Sequence, residues 1–177
     1  VDPYWVIWLL LCGRGWGKTR TGAESVRELV ERGEARSIGL IGPSLSDVWK
    51  TMVYGTADAP GLAGVFPSYR RVEVRRSDRQ VVMHERGCMT EGASCGCPVA
   101  TIYTAEEPEL RGPNMDLVWC DELAKWRYLQ IIWDNLEMTM RAPGARPPRI
   151  VVTTTPRPIK LIKELLDDPD VRVTWGS

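Results

Sequence analysis

Three glycines, a lysine and a threonine stand within seven residues, Gly13-Arg14-Gly15-Trp16-Gly17-Lys18-Thr19. A run of this kind can hold a polyphosphate. Glycines permit the left-handed turns that aim several backbone N–H groups into one cavity. A helix beginning behind the loop adds the positive end of its dipole. In that arrangement Lys18 reaches the β- and γ-phosphates and the Thr19 hydroxyl ligates Mg²⁺. The strict pattern GxxxxGK[ST] calls for glycine where this chain has Cys12, so the match fails at one position. The surrounding elements compensate. Val6 to Cys12 is a continuous apolar run that reads as a buried strand, and Ala23, Val26, Leu29 and Val30 recur at helical spacing before Gly33. The competing reading is a glycine-rich strand-to-helix turn with an incidental Gly-Lys-Thr.

About 100 residues later, Leu117-Val-Trp-Cys120 delivers Asp121 and Glu122 at the end of a second buried strand. In a parallel sheet the carboxyl ends of strands face the ligand crevice. Two adjacent carboxylates there can divide the labour. Asp121 holds Mg²⁺, and Glu122 polarises the water that attacks a γ-phosphate. Alone, four apolar residues followed by Asp-Glu is a weak signal, equally readable as a helix cap with a surface glutamate. Together with a phosphate loop, the two motifs predict one site.

A third constellation is His84-(x3)-Cys88-(x6)-Cys95-x-Cys97, within a Gly- and Cys-rich stretch over 84–98 that reads as an insertion. These four side chains have the donor types of a Cys₃His zinc site, although the spacing is not the common CxxC knuckle. The alternatives are a long hairpin with free thiols, or an oxidised Cys pair.

The elements that must position these groups alternate. Strands are expected at Ser37–Gly42, Val99–Tyr103, Ile150–Val152 and Val171–Val173, and a hairpin at Arg71–Val74 and Gln80–Met83. Helices are expected after a Ser44 cap through Met52, over Trp126–Met140, and over Ile159–Leu166. This alternation indicates an α/β domain with a central, mostly parallel sheet flanked by helices.

The chain has 177 residues, enough for one domain, with 23 Lys plus Arg against 23 Asp plus Glu. A net charge of zero excludes a wholly basic nucleic-acid binder but leaves local patches open. Two Arg groups suggest such patches: Arg70, Arg71, Arg75, Arg76 and Arg79, then Arg141, Arg146 and Arg149. Five Cys, an odd number with two inside apolar runs, point to reduced thiols rather than a disulfide framework. The longest apolar run has eight residues, far short of the ~20 a membrane span needs. The chain opens abruptly on Val1, as a piece of a longer protein would. Eight Trp against one Phe is an unusual aromatic set; Trp16, Trp119, Trp126 and Trp133 fall around the inferred site as bracing groups, and Trp5 is a candidate for a base pocket.

Four segments carry a resemblance: Gly13 to Glu24, Ala105 to Pro113, Val118 to Trp126, and Thr153 to Arg157. In this order they are similar to the ATPase domain of tailed-bacteriophage terminase large subunits, the motors that package double-stranded DNA into procapsids. The resemblance implies a RecA-like P-loop NTPase fold of the ASCE type over residues 1–177, with ATP and Mg²⁺ as ligands. It adds Arg14 as a phosphate contact in cis and Arg111 as a finger reaching a neighbour's ATP, with pairing to Glu106, Glu107 or Glu109 as the structural alternative for Arg111. Thr153, Thr154 and Thr155 match the coupling motif near the γ-phosphate. Double-stranded DNA, a homo-oligomeric ring (a pentamer in the family), a portal and a small terminase subunit are the implied partners, and the host cytoplasm is the implied location. Nothing after residue 157 looks like the family's nuclease, so cleavage activity is not expected of this chain. Two rival functions remain: a helicase-type nucleic-acid-dependent ATPase, and a nucleotide-gated assembly module with little hydrolysis.

Overall fold

The computed structural model describes residues 6–110, 114–140 and 147–176. Eight strands form one sheet in the order β3-β4-β5-β2-β6-β7-β1-β8. The strands are β1 (Ile7–Cys12), β2 (Ser37–Gly42), β3 (Val72–Arg75), β4 (Gln80–Met83), β5 (Val99–Thr104), β6 (Leu117–Asp121), β7 (Arg149–Thr154) and β8 (Val171–Gly176). All neighbours from β5 to β8 in that order are parallel, while β3 and β4 make an antiparallel hairpin on the β5 edge. This is the α/β architecture read from the sequence.

Both faces of the sheet are covered, which explains why its central strands are apolar without alternation. On one face lie α1 (Lys18–Glu31) and the segment Leu45–Tyr54, whose Ala23, Val26, Leu29, Val48, Trp49 and Met52 pack on Leu10, Cys12, Leu40, Trp119 and Val151. On the other lie α4 (Leu129–Thr139) and α5 (Lys160–Asp167), packing Ile132, Trp133, Leu136, Leu161 and Leu165 on Leu9, Leu11, Val118, Cys120 and Val152. Leu9, Leu10 and Leu11 have essentially no exposed surface; burying a side chain of that size contributes about 1.5–3 kcal/mol.

Three helical expectations are refined. Ser44 caps as read, accepting from the Asp47 N–H at 3.1 Å and donating to the Asp47 carboxylate at 2.7 Å. The helix it opens, α2 (Leu45–Asp47), widens at once into a π-helical stretch, Val48–Tyr54, whose buried Val48, Trp49, Met52 and Val53 share one face. Residues 55–68 hold one short helix, α3 (Leu62–Val65). The helix expected from Trp126 begins only at Leu129, because the Trp126 indole N–H donates to the Asp121 carbonyl at 2.9 Å and holds Trp126 extended. Leu123–Lys125 form a single 3₁₀ turn instead.

Candidate nucleotide site

Strand order explains which groups meet. β7 lies between β1 and β6, so the phosphate loop leaving β1 and the carboxylates leaving β6 flank the end of β7. The register pairs Asp121 with Thr153 and Thr153 with Leu10. Side chains alternate along a strand, so Leu117, Trp119 and Asp121 face the α1 side with Val151 and Thr153. Asp121 therefore emerges on the face where α1 begins.

The loop itself is left-handed at Gly15 (φ +79°) and Gly17 (φ +94°), and Gly17 is the residue from which α1 springs. No side chain caps α1 and its first turn carries no acidic residue. Its first N–H groups are thus left for an anion from outside. Gly13 donates its N–H to the Gly176 carbonyl at 3.1 Å, tying the loop to β8, and the Trp16 indole rests on Gly176 so closely that a Cβ there would lie 2.2 Å from its Nε1. Beside this loop runs an open groove of about 440 Å³ lined by Trp8, Trp16, Gly17, Arg20, Thr21 and Glu24. A larger hollow of about 510 Å³ lies away from the loop, at Asp78, Arg79 and Glu107, and contains none of the expected site residues.

Lys18 is buried, and its ammonium donates to the carbonyls of Cys12 and Gly13, each at 2.9 Å, while lying 3.9 Å from a Glu122 oxygen. It thus joins the two motifs, as one site requires. Glu122 is one of two non-glycine residues with positive φ among those described (φ +49°, ψ +43°). Backbone strain of this type is concentrated at functional positions. Here it turns the chain out of β6 and brings the carboxylate back over the loop. Glu122 is anchored by its N–H to the Thr153 carbonyl at 2.6 Å, and its carboxylate meets Lys125 at 3.4 Å and the Thr155 hydroxyl at 3.4 Å.

Asp121 is only 5% exposed. Burial pushes its carboxyl up to about 6, against the lowering influence of the Thr153 hydroxyl. A hydroxyl–indole relay fixes it: the Trp119 indole N–H donates to Thr153 Oγ1 at 2.8 Å, and Thr153 Oγ1 donates to Asp121 Oδ1 at 2.7 Å. Trp119 is in turn seated under Gly22 of α1, where a Cβ would fall 2.2 Å from the indole ring. Trp119 is read from the sequence as a bracing group; its hydrogen bond to Thr153 and its packing against Gly22 go beyond that reading. The signals for them are a Trp one turn of pleat before the Asp and a glycine inside a helix.

The three threonines all contact the Asp-Glu segment. Thr153 holds Asp121, Thr154 accepts from the Ala124 N–H at 3.1 Å, and Thr155 donates to Glu122. Thr19 follows Lys18 in the first turn of α1. A hydroxyl and a buried carboxylate are hard oxygen donors, the chemistry Mg²⁺ selects. Arg14 is exposed on the loop and makes no hydrogen bond or ion pair among the described residues. Arg111, Trp5, Arg141 and Arg146 lie outside the described residues. In the first Arg group, Arg71 and Arg75 pair with Glu73, Arg75 also with Asp78, and Arg79 with Glu107. Arg70 and Arg76 lie over the rings of Phe66 and Trp49. These five are thus largely engaged within the chain, and Arg149 pairs with Glu34 at 3.1 Å. No helix among the described residues is long and apolar enough to cross a membrane.

A glycine loop between β1 and α1, with an Asp-Glu strand end one strand removed, defines a phosphate-loop nucleoside triphosphatase fold of the RecA-like kind. Residues 9–169 match the model of the terminase large subunit, T4likevirus-type, N-terminal, and the chain belongs to that family. It is the N-terminal part of a terminase large subunit. The fold is similar to the large terminase ATPase domain of Thermus phage P74-26 (TM-score 0.69, 20% identity, covering 99% of this chain and 77% of that one). It is also similar to the large terminase of a thermophilic bacteriophage in complex with ATP-γ-S (TM-score 0.70, 14% identity, 96% of this chain and 38% of that one). The Phi-28 gp11 DNA packaging motor is a more distant likeness (TM-score 0.55, 12% identity, 100% of this chain and 57% of that one). No curated protein matches the sequence.

Proposed function

We propose that this domain binds Mg²⁺–ATP on the loop Gly13–Thr19 and hydrolyses it to drive double-stranded DNA into a procapsid. The observation that carries the reading is the meeting of Lys18 with Glu122 across β7, at a helix start with no cap of its own. Phosphate oxygens replace the Cys12 and Gly13 carbonyls as acceptors for the Lys18 ammonium, and the loop N–H groups hold the β- and γ-phosphates. Thr19 and Asp121 would hold Mg²⁺, which would supply positive charge against the transferred phosphoryl group. Glu122 orients water and takes its proton. Arg14, from the loop, and Arg111, from a neighbouring subunit of a ring, place guanidinium charge on the transferred phosphoryl group. Loss of the γ-phosphate is relayed to the chain through Thr155 on Glu122 and Thr153 on Asp121. The ATP-γ-S complex of the thermophilic-phage terminase and the packaging role stated for the Phi-28 motor support this assignment.

Binding is the first test. The 177-residue chain should bind an ATP analogue with Mg²⁺, read by quenching of the half-exposed Trp16. Lys18→Ala should weaken that binding by on the order of 100-fold, the scale of losing a charge-assisted contact to phosphate. Equal affinity in the two proteins would place the phosphates elsewhere.

A further inference from the structure

At the opposite end of the sheet, the stretch between β4 and β5 brings His84, Cys88, Cys95 and Cys97 together. One ligand atom from each, the His ring nitrogen and three Sγ atoms, lies within 4.8 Å of all the others. We propose that these four side chains bind one structural Zn²⁺ ion, independently of the nucleotide site.

The geometry suits zinc. With Zn–S near 2.3 Å and Zn–N near 2.0–2.1 Å, the edges of a tetrahedral site are about 3.5–3.8 Å. Cys95 Sγ lies 3.7 Å from His84 Nδ1, on that edge, and the remaining spacings need only a small contraction. All five cysteines of the chain are free thiols, so no disulfide competes for the cluster.

The histidine is prepared as a ligand. His84 is fully buried, and its Nε2 lies 2.9 Å from a Glu73 oxygen, with Nδ1 turned to the sulfurs. A carboxylate can only accept there, so Nε2 carries the proton and Nδ1 presents its lone pair. This is the carboxylate–histidine pair that orients imidazoles on zinc. Glu73 also accepts the Gly92 N–H at 3.0 Å, from within the Cys-bearing loop.

The loop has almost no apolar packing to hold it in one shape. Between residues 85 and 96 only Gly92 is buried, and Met89 is 89% exposed. A twelve-residue segment without an apolar core gains order from a metal instead. Three thiolates around one Zn²⁺ carry net negative charge, and guanidinium groups surround them. Arg71 donates to the Thr90 carbonyl at 2.6 Å, Arg36 donates to the Gly96 carbonyl, and the Arg75 guanidinium packs on Gly92. Four protein ligands close the coordination sphere, which is the structural rather than the catalytic pattern. The ion would pin the β3–β4 hairpin to the entry of β5, where Cys97 precedes Val99 by two residues.

The test is metal content and cobalt substitution on the 177-residue chain purified under reducing conditions. The expected result is one zinc per chain, and Co²⁺ in its place giving the intense visible bands of tetrahedral thiolate coordination. Cys88→Ser and Cys95→Ser should each lose stoichiometric zinc. Because ligand variants can unfold, Glu73→Gln supplies the second arm. It keeps all four ligands and should bind Co²⁺ about 10–100-fold more weakly in a competition titration. A reduced wild-type chain that carries no zinc and takes up no Co²⁺ overturns the proposal, as does stoichiometric zinc retained by both Cys variants. Unchanged Co²⁺ affinity in Glu73→Gln would refute the role given to the carboxylate–histidine pair.

Discussion

The two ends of the sheet gather chemistry in different ways. At the carboxyl end, Asp121 and Glu122 from the end of β6, Thr153 from β7 and Lys18 from α1 come together, and parallel register places them. Each is backed by the core, with Trp119, Val151 and Leu10 beneath. At the amino end, four ligand side chains come from one stretch of chain that has almost no core beneath it. The first end is rigid before any ligand arrives; the second draws its order from local hydrogen bonds and from the ion proposed for it. Polar groups can be buried at the first end because neighbours fix them in place. They can be clustered at the second because a short loop needs little closure entropy.

The largest effect that would separate the two ends is Asp121→Asn. Losing the carboxylate proposed to hold Mg²⁺ should weaken Mg²⁺–ATP binding by on the order of 100-fold, while zinc content stays unchanged. The same variant should raise thermal stability at pH 8. The reason is the sign of the shift. The Asp121 carboxyl titrates near 6 in the fold against an ordinary 3.8. Its contribution to stability is therefore full below the ordinary value and is lost as pH rises through about 6. A neutral Asn escapes that loss at pH 8 and gains little at pH 4, as melting curves at the two pH values would show. By the same shift, wild-type Mg²⁺–ATP affinity should fall as pH drops below about 6.

Next comes Gly22→Ala. The added Cβ would meet the fully buried Trp119 indole at 2.2 Å. Overpacking of this kind costs about 1–3 kcal/mol, more than the ~1 kcal/mol gained in helix propensity. A lowered melting temperature with weaker Mg²⁺–ATP binding would tie core packing to the site. A more stable protein would break the claim that the core holds this end rigid.

Thr153→Val is subtler. It removes the hydroxyl that favours ionised Asp121. Mg²⁺–ATP affinity should drop about tenfold below pH ~6, the worth of one hydrogen bond to a charged group, and about twofold near pH 7. The loss should be recovered at higher pH. A pH-independent loss would mean that Thr153 acts through packing alone.

The smallest effect is expected at the other end. Arg36→Ala removes an exposed pair with Glu85 and a bond to the Gly96 carbonyl. Exposed pairs contribute about 0–1 kcal/mol, so the melting temperature should barely move and nucleotide affinity should not change.

Much of the carboxyl end was legible because its signals are local. Gly15 and Gly17 had to be glycines, and an apolar run ending in Asp-Glu had to deliver those side chains at a strand end. The relay from Trp119 through Thr153 was not legible, since it depends on β6 and β7 lying side by side in one register. Nor was the late start of α4, which follows from one indole N–H reaching back to the Asp121 carbonyl. The Arg-rich hairpin read as a basic patch; its carboxylate partners come from Glu73, Asp78 and, 28 residues on from Arg79, Glu107. At the amino end the ligands could be named from composition. Their convergence could not, because it rests on Glu73, in a neighbouring strand, aligning His84.

The central claim is that the carboxyl end hydrolyses ATP with Glu122 as the base. The most direct measurement is phosphate release by an assembled, full-length motor carrying Glu122→Gln, with nucleotide binding measured on the same protein. General-base loss predicts turnover reduced by about 10²–10⁴-fold with Mg²⁺–ATP binding retained. Turnover close to wild type would contradict the account.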